Sequence, residues 1–276
     1  MQKRQISIFL PDSFLSETKD LKLKTSKIGI IGRALAIFRV NKVIIYRDIS
    51  SHNENQSSNQ KDGDLIAKIL DFMNTPQYLR KKVFPLEYDL KHVGILPPLR
   101  TPHHPKELAE LGDYRQGLTV KRNKKGTFVD IGLDQLAFCK EQLTVNKIFS
   151  FKIIKFAKEI IVTPEEPDGI YWGYEMLSTH KTLKNSLKLI KPDFVIETSK
   201  LGIDITTIFN DLESKINDSK SMAILFGGPY SGVSENIESS LWDSIKLNSV
   251  PFQGTETIRT EEAVVSTLAL LNVLIS

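Results

Sequence analysis

Three stretches in the second half of the chain place glycine, proline and small hydroxyl side chains directly after short apolar runs. Thr198-Ser199-Lys200-Leu201-Gly202 follows the run 194–197, and Gly227-Gly228-Pro229-Tyr230-Ser231-Gly232 follows the run 223–226. The third, residues 247–263, is turn-rich at first, with Pro251 and Gly254, and becomes a helix start at Thr260. Thr260 is the expected cap, and Glu261 and Glu262 fall in the first turn, where the helix dipole favours carboxylates. Glycine lets a main chain approach a ligand closely, and a helix N-terminus presents main-chain donors. Each stretch alone is also an ordinary strand-to-helix connection. Three such loops at the carboxyl ends of parallel strands, where open α/β sheets bind ligands, would converge on one small-molecule pocket.

Other chemistries are disfavoured. Gly227-Gly228 lacks the Gly-x-Gly-x-x-Gly spacing and following acid of a dinucleotide site, and no phosphate-loop Lys-Ser/Thr pair follows a glycine run. No Gly-x-Ser-x-Gly elbow occurs. His103 and His104 are adjacent, so they cannot share a helical face at metal spacing, and the one sulfur candidate is Cys139. Cys139 is expected as a buried, inert thiol. A single cysteine excludes an internal disulfide framework and fits a reducing cytoplasm. No apolar run approaches the ~18 residues of a membrane span, and the N-terminus reads as a first strand rather than a signal peptide.

The chain has 276 residues, 41% hydrophobic and 25% charged, the composition of a globular protein of one or two domains. Its net charge of +4 is unevenly spread: residues 92–163 hold 12 Lys+Arg against 7 Asp+Glu, so the whole basic excess lies there. Arg115, Lys121, Arg122, Lys124 and Lys125 occur with no acid between Asp113 and Asp130. A localised basic face marks a polyanion binder, and cations around one hairpin suit phosphate contacts. Arg100 adds a further cation upstream. Phe128, Phe138, Phe149 and Phe151 are either base-stacking surfaces or barrel core.

The elements that must position these groups alternate. Residues 5–10 read as a strand, 25–40 as a helix with Ile28, Ile31, Leu35 and Phe38 at helical spacing, and 43–46 as a strand, a unit that implies parallel pairing. Residues 50–63 are polar and patternless and read as an exposed loop, 64–73 as an amphipathic helix. Thr75-Pro76 reads as a cap and first-turn proline opening a helix to about residue 83. The proline-rich run 94–105 is a stiff connector at a domain boundary. Five short strands then follow at 117–122, 127–131, 135–138, 147–156 and 159–162, the first two joined by the turn 123–126, which suggests a small closed barrel of the OB type. Beyond 164–168, strands at 171–177, 194–197, 223–226 and 246–250 alternate with helices at 181–190, 206–216, 235–245 and 260–274.

Phe226-Gly227-Gly228-Pro229 and the segment Pro251-Phe252-Gln253-Gly254-Thr255-Glu256-Thr257-Ile258-Arg259-Thr260-Glu261-Glu262-Ala263 resemble the knotted cofactor loops of SPOUT RNA methyltransferases. Together with Leu96-Pro97-Pro98-Leu99-Arg100-Thr101-Pro102-His103-His104-Pro105 they resemble its archaeal and eukaryotic branch, whose members methylate N3 of uridine in large-subunit ribosomal RNA. The resemblance covers nearly the whole chain. It implies a discontinuous α/β methyltransferase domain at 1–93 and 164–276, with a mostly parallel sheet and a C-terminal trefoil knot, interrupted at 94–163 by an OB-like RNA-binding barrel. It implies a homodimer with each active site completed across the interface. S-adenosylmethionine should bind bent in the knot, mostly through main-chain groups. The positions implied are Thr198, Ser199 and Gly202; Gly227, Gly228 and Pro229; and Asn248, Pro251, Gln253, Gly254, Thr255, Ile258, Arg259, Thr260, Glu262 and Ala263. The segment Lys27-x-Gly29-x-x-x-Arg33 is similar to the Asn-x-Gly-x-x-x-Arg motif of ribose-methylating members, which makes Arg33 the catalytic candidate. Lys27 stands where Asn is usual, which argues against the ribose hydroxyl as acceptor. Arg259 and Glu262 are secondary candidates. The competing readings are a non-catalytic RNA-binding protein, with the barrel as the working part and the α/β domain as a dimerising platform, and a nucleotide-binding enzyme of another kind.

Overall fold

The computed structural model describes residues 4–49, 56–105, 108–229, 232–233 and 241–275. The chain divides into two compact units. One takes in Met1–Asp71, Tyr88–Pro97 and Tyr174–Ser276; the other takes in Phe72–Glu87 and Pro98–Gly173. In chain order the elements are β1 (Gln5–Pro11), α1 (Leu21–Ile37), β2 (Lys42–Arg47), α2 (Gln56–Asn74) and α3 (Gln77–Val83). Then come β3 (Tyr114–Asn123), β4 (Gly126–Asp130), β5 (Ala137–Cys139), β6 (Ile148–Phe156) and β7 (Ile160–Pro164). The chain closes with β8 (Glu175–Thr182), α4 (Leu183–Ile190), β9 (Phe194–Asp204), α5 (Phe209–Asp218), β10 (Ser221–Leu225), β11 (Ser244–Asn248) and α6 (Thr260–Leu274).

The first unit is built on a six-stranded sheet in the order β11-β9-β10-β1-β2-β8, with every pairing parallel. Parallel strands covered on both faces need continuous apolar runs, and β1 is buried from Ile6 to Pro11. Phe9, Ile44, Val195, Ala223 and Leu225 pack with Leu183 and Leu187 of α4. Helix α1 starts where the Asp20 carboxylate accepts from Leu23 N at 2.9 Å. It buries Ile28, Ile31 and Leu35, worth about 2 kcal/mol each. Asn41 then ties the return strand to β1, its Oδ1 accepting from Ile6 N at 2.8 Å.

The second unit holds a closed barrel, β3-β4-β5-β7-β6. Its core includes Val129, Ile131, Phe151, Ile153 and Val162. Cys139 is buried at the end of β5, and burial pushes its thiol up. His103 and His104 both bring Nε2 to the Asn74 carbonyl, at 2.8 and 2.9 Å. Burial lowers their pKa to about 3 and about 4, so both rings are neutral. Among the described residues no helix is long and apolar enough to cross a membrane.

Several elements differ from their sequence reading. The polar stretch 50–63 is not all loop: from Gln56 onward it is the first part of α2. Its polar side chains are used, since Asn59 and Asp62 are buried and Asp62 pairs with Lys24. Helix α3 is capped at Pro76 rather than Thr75. The strand expected at 171–177 begins at Glu175, and α4 begins at Leu183 with Thr182 as its cap. The helix expected at 206–216 is a short 3-10 turn followed by α5. In the helix expected at 235–245, residues 235–240 lie outside the described residues, and 244–245 already belong to β11. The loop expected at 198–202 is part of β9, for a reason that bears on the site.

Candidate functional site

A cavity of about 440 Å³ opens at the carboxyl ends of β1, β9, β10 and β11. Its walls come from the segments after β1, from β9, from the turn after β10, from 248–258 and from the first turn of α6, with Lys27 of α1 completing them. The strand pairing explains the β9 contribution. β9 advances from Glu197 to Ile203 while its partner β11 advances only from Lys246 to Leu247. Residues 198–202 are therefore displaced from the ladder while the chain stays extended, as in a large bulge. Gly202 permits this, because a Cβ there would lie 2.6 Å from the Leu247 carbonyl carbon.

Side chains stitch these segments together through main-chain carbonyls. Thr198 Oγ1 donates to Leu225 O at 2.7 Å, and Thr260 Oγ1 to Gly227 O at 3.1 Å. Lys200 Nζ donates to Glu256 O at 3.2 Å, and Asn248 Nδ2 to Lys200 O at 3.3 Å. Below the turn after β10, Tyr46 Oη donates to Phe226 O at 2.8 Å. Gly228 lies on a buried polar layer in which Ser13 Oγ donates to Asp48 Oδ2 at 2.5 Å. A Cβ at 228 would stand 2.5 Å from Ser13 Oγ and 2.9 Å from Asp48 Oδ2, so only glycine fits without displacing that pair. The neighbouring Asp12 accepts from Asp48 N at 3.1 Å, and burial raises its pKa to about 6.

Of the positions singled out by sequence, Thr198, Ser199, Gly227, Gly228, Pro229, Asn248, Gln253, Ile258, Arg259, Thr260 and Ala263 line this cavity. Gly202, Pro251, Gly254, Thr255 and Glu262 do not. Gly202 is taken up by packing against β11. Glu262 instead caps its own helix, its Oε2 accepting from Arg259 N at 3.1 Å. The N-cap of α6 is Arg259, not Thr260, whose hydroxyl serves the Gly227 carbonyl. Arg33 lies elsewhere, on a second, apolar cavity of about 330 Å³ with Gly29, Ile30, Ile37, Leu96, Pro97 and Val265. Gly29 packs under Leu96, where a Cβ would come within 2.7 Å of Leu96 Cδ2.

Sequence reasoning missed Lys27 and Glu261 as cavity residues. Lys27 Nζ stands 3.5 Å from Glu261 Oε1, with the Glu261 side chain 5% and the Lys27 side chain 19% exposed. The signals were present, as an unusual lysine in an otherwise familiar motif and as an acid in a helix first turn, but nothing in the sequence paired them.

On the barrel, Lys121, Arg122, Lys124 and Lys125 are exposed around the β3–β4 turn, and Lys121 Nζ sits 4.8 Å from the Phe128 ring centroid. Phe128 and Phe138 meet edge to face and are half-buried, whereas Phe151 is core. Arg100 is exposed, with φ of 55°. Arg115 corrects the expectation of a phosphate contact. It is buried, its guanidinium donating to Ile131 O at 3.0 Å and Leu108 O at 3.3 Å. Among the described residues no cluster of His, Cys, Asp and Glu suits a metal ion.

The first cavity has room for a nucleoside-sized ligand. Phe14, Phe226, Val250 and Ile258 give it apolar walls, and Thr198, Asn248, Gln253 and the closely laid main chain at Gly227-Gly228 give it polar ones. The side-chain donors of Thr198, Asn248 and Gln253 serve main-chain carbonyls, so these residues fix the shape of the cavity wall. A family model described as "Putative RNA methyltransferase" matches residues 5–271. A 28S rRNA (uridine-N(3))-methyltransferase of Drosophila melanogaster is 31% identical over 96% of this chain and 61% of its own. Its human counterpart is 28% identical, over 96% of this chain and 77% of that one. An uncharacterised protein of Halobacterium salinarum is 27% identical over 96% and 98%. The chain thus spans 61% of the fly relative's length. With a match that begins in β1 and ends within α6, the chain belongs to this RNA methyltransferase family.

Proposed function

We propose that this protein transfers a methyl group from S-adenosylmethionine to N3 of uridine in large-subunit ribosomal RNA. The observation that carries the reading is the convergence of the displaced 198–201 segment, the Gly227-Gly228-Pro229 turn and the 248–260 segment on one cavity, in a chain of this family. When bound, S-adenosylmethionine supplies an electrophilic methyl group. Thr198, Gly227, Gly228, Asn248 and Gln253, which line the cavity, would hold its nucleoside, with Ile258 and Val250 against it. These residues would orient the donor methyl for in-line attack and keep water from it.

The C-terminal part is read as the trefoil knot of the SPOUT class, an exception to the rule against threading. β10 sits between β9 and β1, the chain then crosses to β11 outside β9, and α6 returns to pack on α1. The assembly is read as a homodimer. Ile30, Ile37, Leu270 and Val273 are exposed on α1 and α6, an apolar face of the kind a second copy covers. Arg33, on the groove beside that face, is then the residue that reaches the reacting base of the partner's site. The closed five-stranded barrel is read as OB-like, with Arg100, Lys121, Arg122, Lys124 and Lys125 on RNA phosphates.

Calorimetry with S-adenosylmethionine tests the cofactor, and mass spectrometry of ribosomal RNA from cells lacking the protein tests the product. Micromolar binding and loss of one 3-methyluridine are expected; no binding at millimolar cofactor overturns the reading. Light scattering should give twice the chain mass of 31.2 kDa, and Ile37→Glu should halve it.

A further inference from the structure

We infer that Glu261 and Lys27 form the proton-accepting and charge-holding pair of the reaction, and that they select uracil by its imide edge. The inference rests on the methyltransferase reading above. Two carboxylates line the cavity, and they differ: Glu17 is exposed, whereas the Glu261 side chain is 5% exposed. Of the lining cations, Lys200 and Arg259 are exposed, and Lys200 is engaged with the Glu256 carbonyl. Lys27 alone among the described lining residues is ion-paired with a lining carboxylate. Two features make the pair chemical rather than merely structural.

The first is its gap. At 3.5 Å, the pair is longer than a closed charge-assisted hydrogen bond of about 2.7–2.9 Å. Both groups line the cavity without a closed bond between them. The second is its match to the base. Uracil presents a carbonyl, an N3–H and a second carbonyl along one edge. A carboxylate takes the N3–H and an ammonium meets a flanking carbonyl oxygen. Cytosine, with an acceptor at N3, leaves the carboxylate facing a lone pair, which is costly in a desolvated site.

In the step itself, Glu261 accepts the N3 proton and becomes the neutral acid. The N3 electron pair forms the new bond to the methyl carbon as the carbon–sulfur bond breaks, and that bond's electrons remain on sulfur, which leaves as a neutral thioether. Lys27 stabilises the negative charge that delocalises from N3 onto the flanking carbonyl oxygen before and during attack. Glu261 afterwards returns its proton to water. Arg33 cannot take this part from within the same chain. It is six residues beyond Lys27 on α1, about 240° around the helix at about 100° per residue, and lines the other cavity.

The test uses Glu261→Gln, Lys27→Met and Lys27→Arg in the full chain. Single-turnover methylation of unmodified large-subunit ribosomal RNA is followed from pH 6 to 10. Glu261→Gln is expected to slow methylation at pH 7 by about 10²–10⁴-fold, with the deficit shrinking as rising pH ionises uracil without a protein base. Lys27→Met should be slow at every pH, and Lys27→Arg should recover most of the rate. Calorimetric affinity for S-adenosylmethionine should stay within threefold of wild type in all three. In anisotropy with S-adenosylhomocysteine present, wild type should prefer oligouridylate to oligocytidylate, and both Glu261→Gln and Lys27→Met should lose that preference. A Glu261→Gln deficit that is absent, constant with pH, or matched by an equal loss of cofactor affinity overturns the inference. A wild-type protein that neither binds the cofactor nor methylates the RNA overturns the methyltransferase reading itself, and the inference with it.

Discussion

The strand-end cavity and the β3–β4 hairpin were both singled out by residue type, and they fared differently. At the cavity the expected contribution is largely main chain, and the segments that carry it come together whichever way individual side chains point. At the hairpin the residues act through side-chain charge, so the face of the strand decides. β3 alternates half-buried and buried from Tyr114 to Thr119, with Arg115, Gly117 and Thr119 inside. This inverts the usual polarity pattern. Gly117 leaves the room, since a Cβ there would lie 2.5 Å from Val129 Cγ1 and 2.9 Å from Phe151 Cδ2. Arg115 fills the interior with a guanidinium that serves main-chain carbonyls. A glycine-rich loop therefore reports from sequence where segments converge more directly than a run of cations reports an exposed face.

The largest effect should separate Arg115 from its basic neighbours. Arg115→Ala removes the donor to both carbonyls of a buried network and should destabilise the barrel unit by about 3 kcal/mol, measured by denaturant unfolding followed at Trp172. An effect under about 0.5 kcal/mol would place Arg115 back among the surface cations. Gly228→Ala comes next. Displacing Ser13 and Asp48 should cost about 1–3 kcal/mol and weaken S-adenosylmethionine at least tenfold by calorimetry. Unchanged affinity would mean the turn does not cradle the ligand.

Acid sensitivity should follow His103 and His104. Their folded pKa values, about 3 and about 4, lie below the ordinary 6.5. Between these limits the unfolded chain binds more protons, so stability falls as pH drops from about 6.5 towards 3. His103→Gln should flatten that slope by on the order of 2 kcal/mol across the window; an unaltered slope means the ring titrates normally. The smallest stability effect is expected on the hairpin itself. Neutralising Lys121, Arg122, Lys124 and Lys125 together should move stability by less than about 0.5 kcal/mol. It should reduce the salt dependence of RNA binding by up to about 0.7–0.9 for each phosphate no longer neutralised. An unchanged salt slope would show that the hairpin does not touch phosphate.

Much of the architecture was legible. The apolar runs of β1, β2 and β10 are long enough and pure enough to be parallel strands buried on both faces, and the spacing of Ile28, Ile31 and Leu35 fixes α1. The Asn123–Gly126 turn and short alternating runs announce the barrel. Composition misled where tertiary partners override local preference. The polar start of α2 is helical because Asp62 finds Lys24. Residues 198–202 carry loop-like chemistry yet stay extended within β9, displaced from the β11 ladder, with Gly202 packed against Leu247.

The sequence by itself determined which segments could be strands and helices, and which loops had the glycines and hydroxyls to approach a ligand, because those are properties of single residues and their near neighbours. Only the tertiary structure decided which of those loops meet, that Arg115 turns inward, that Arg33 stands on a different cavity, and that Lys27 faces Glu261. A pairing across 234 positions of chain leaves no periodic trace in either segment. It exists because α1 and α6 pack together, and the packing of two helices is set by the whole face of each, not by the charged residue that the packing brings into the cavity.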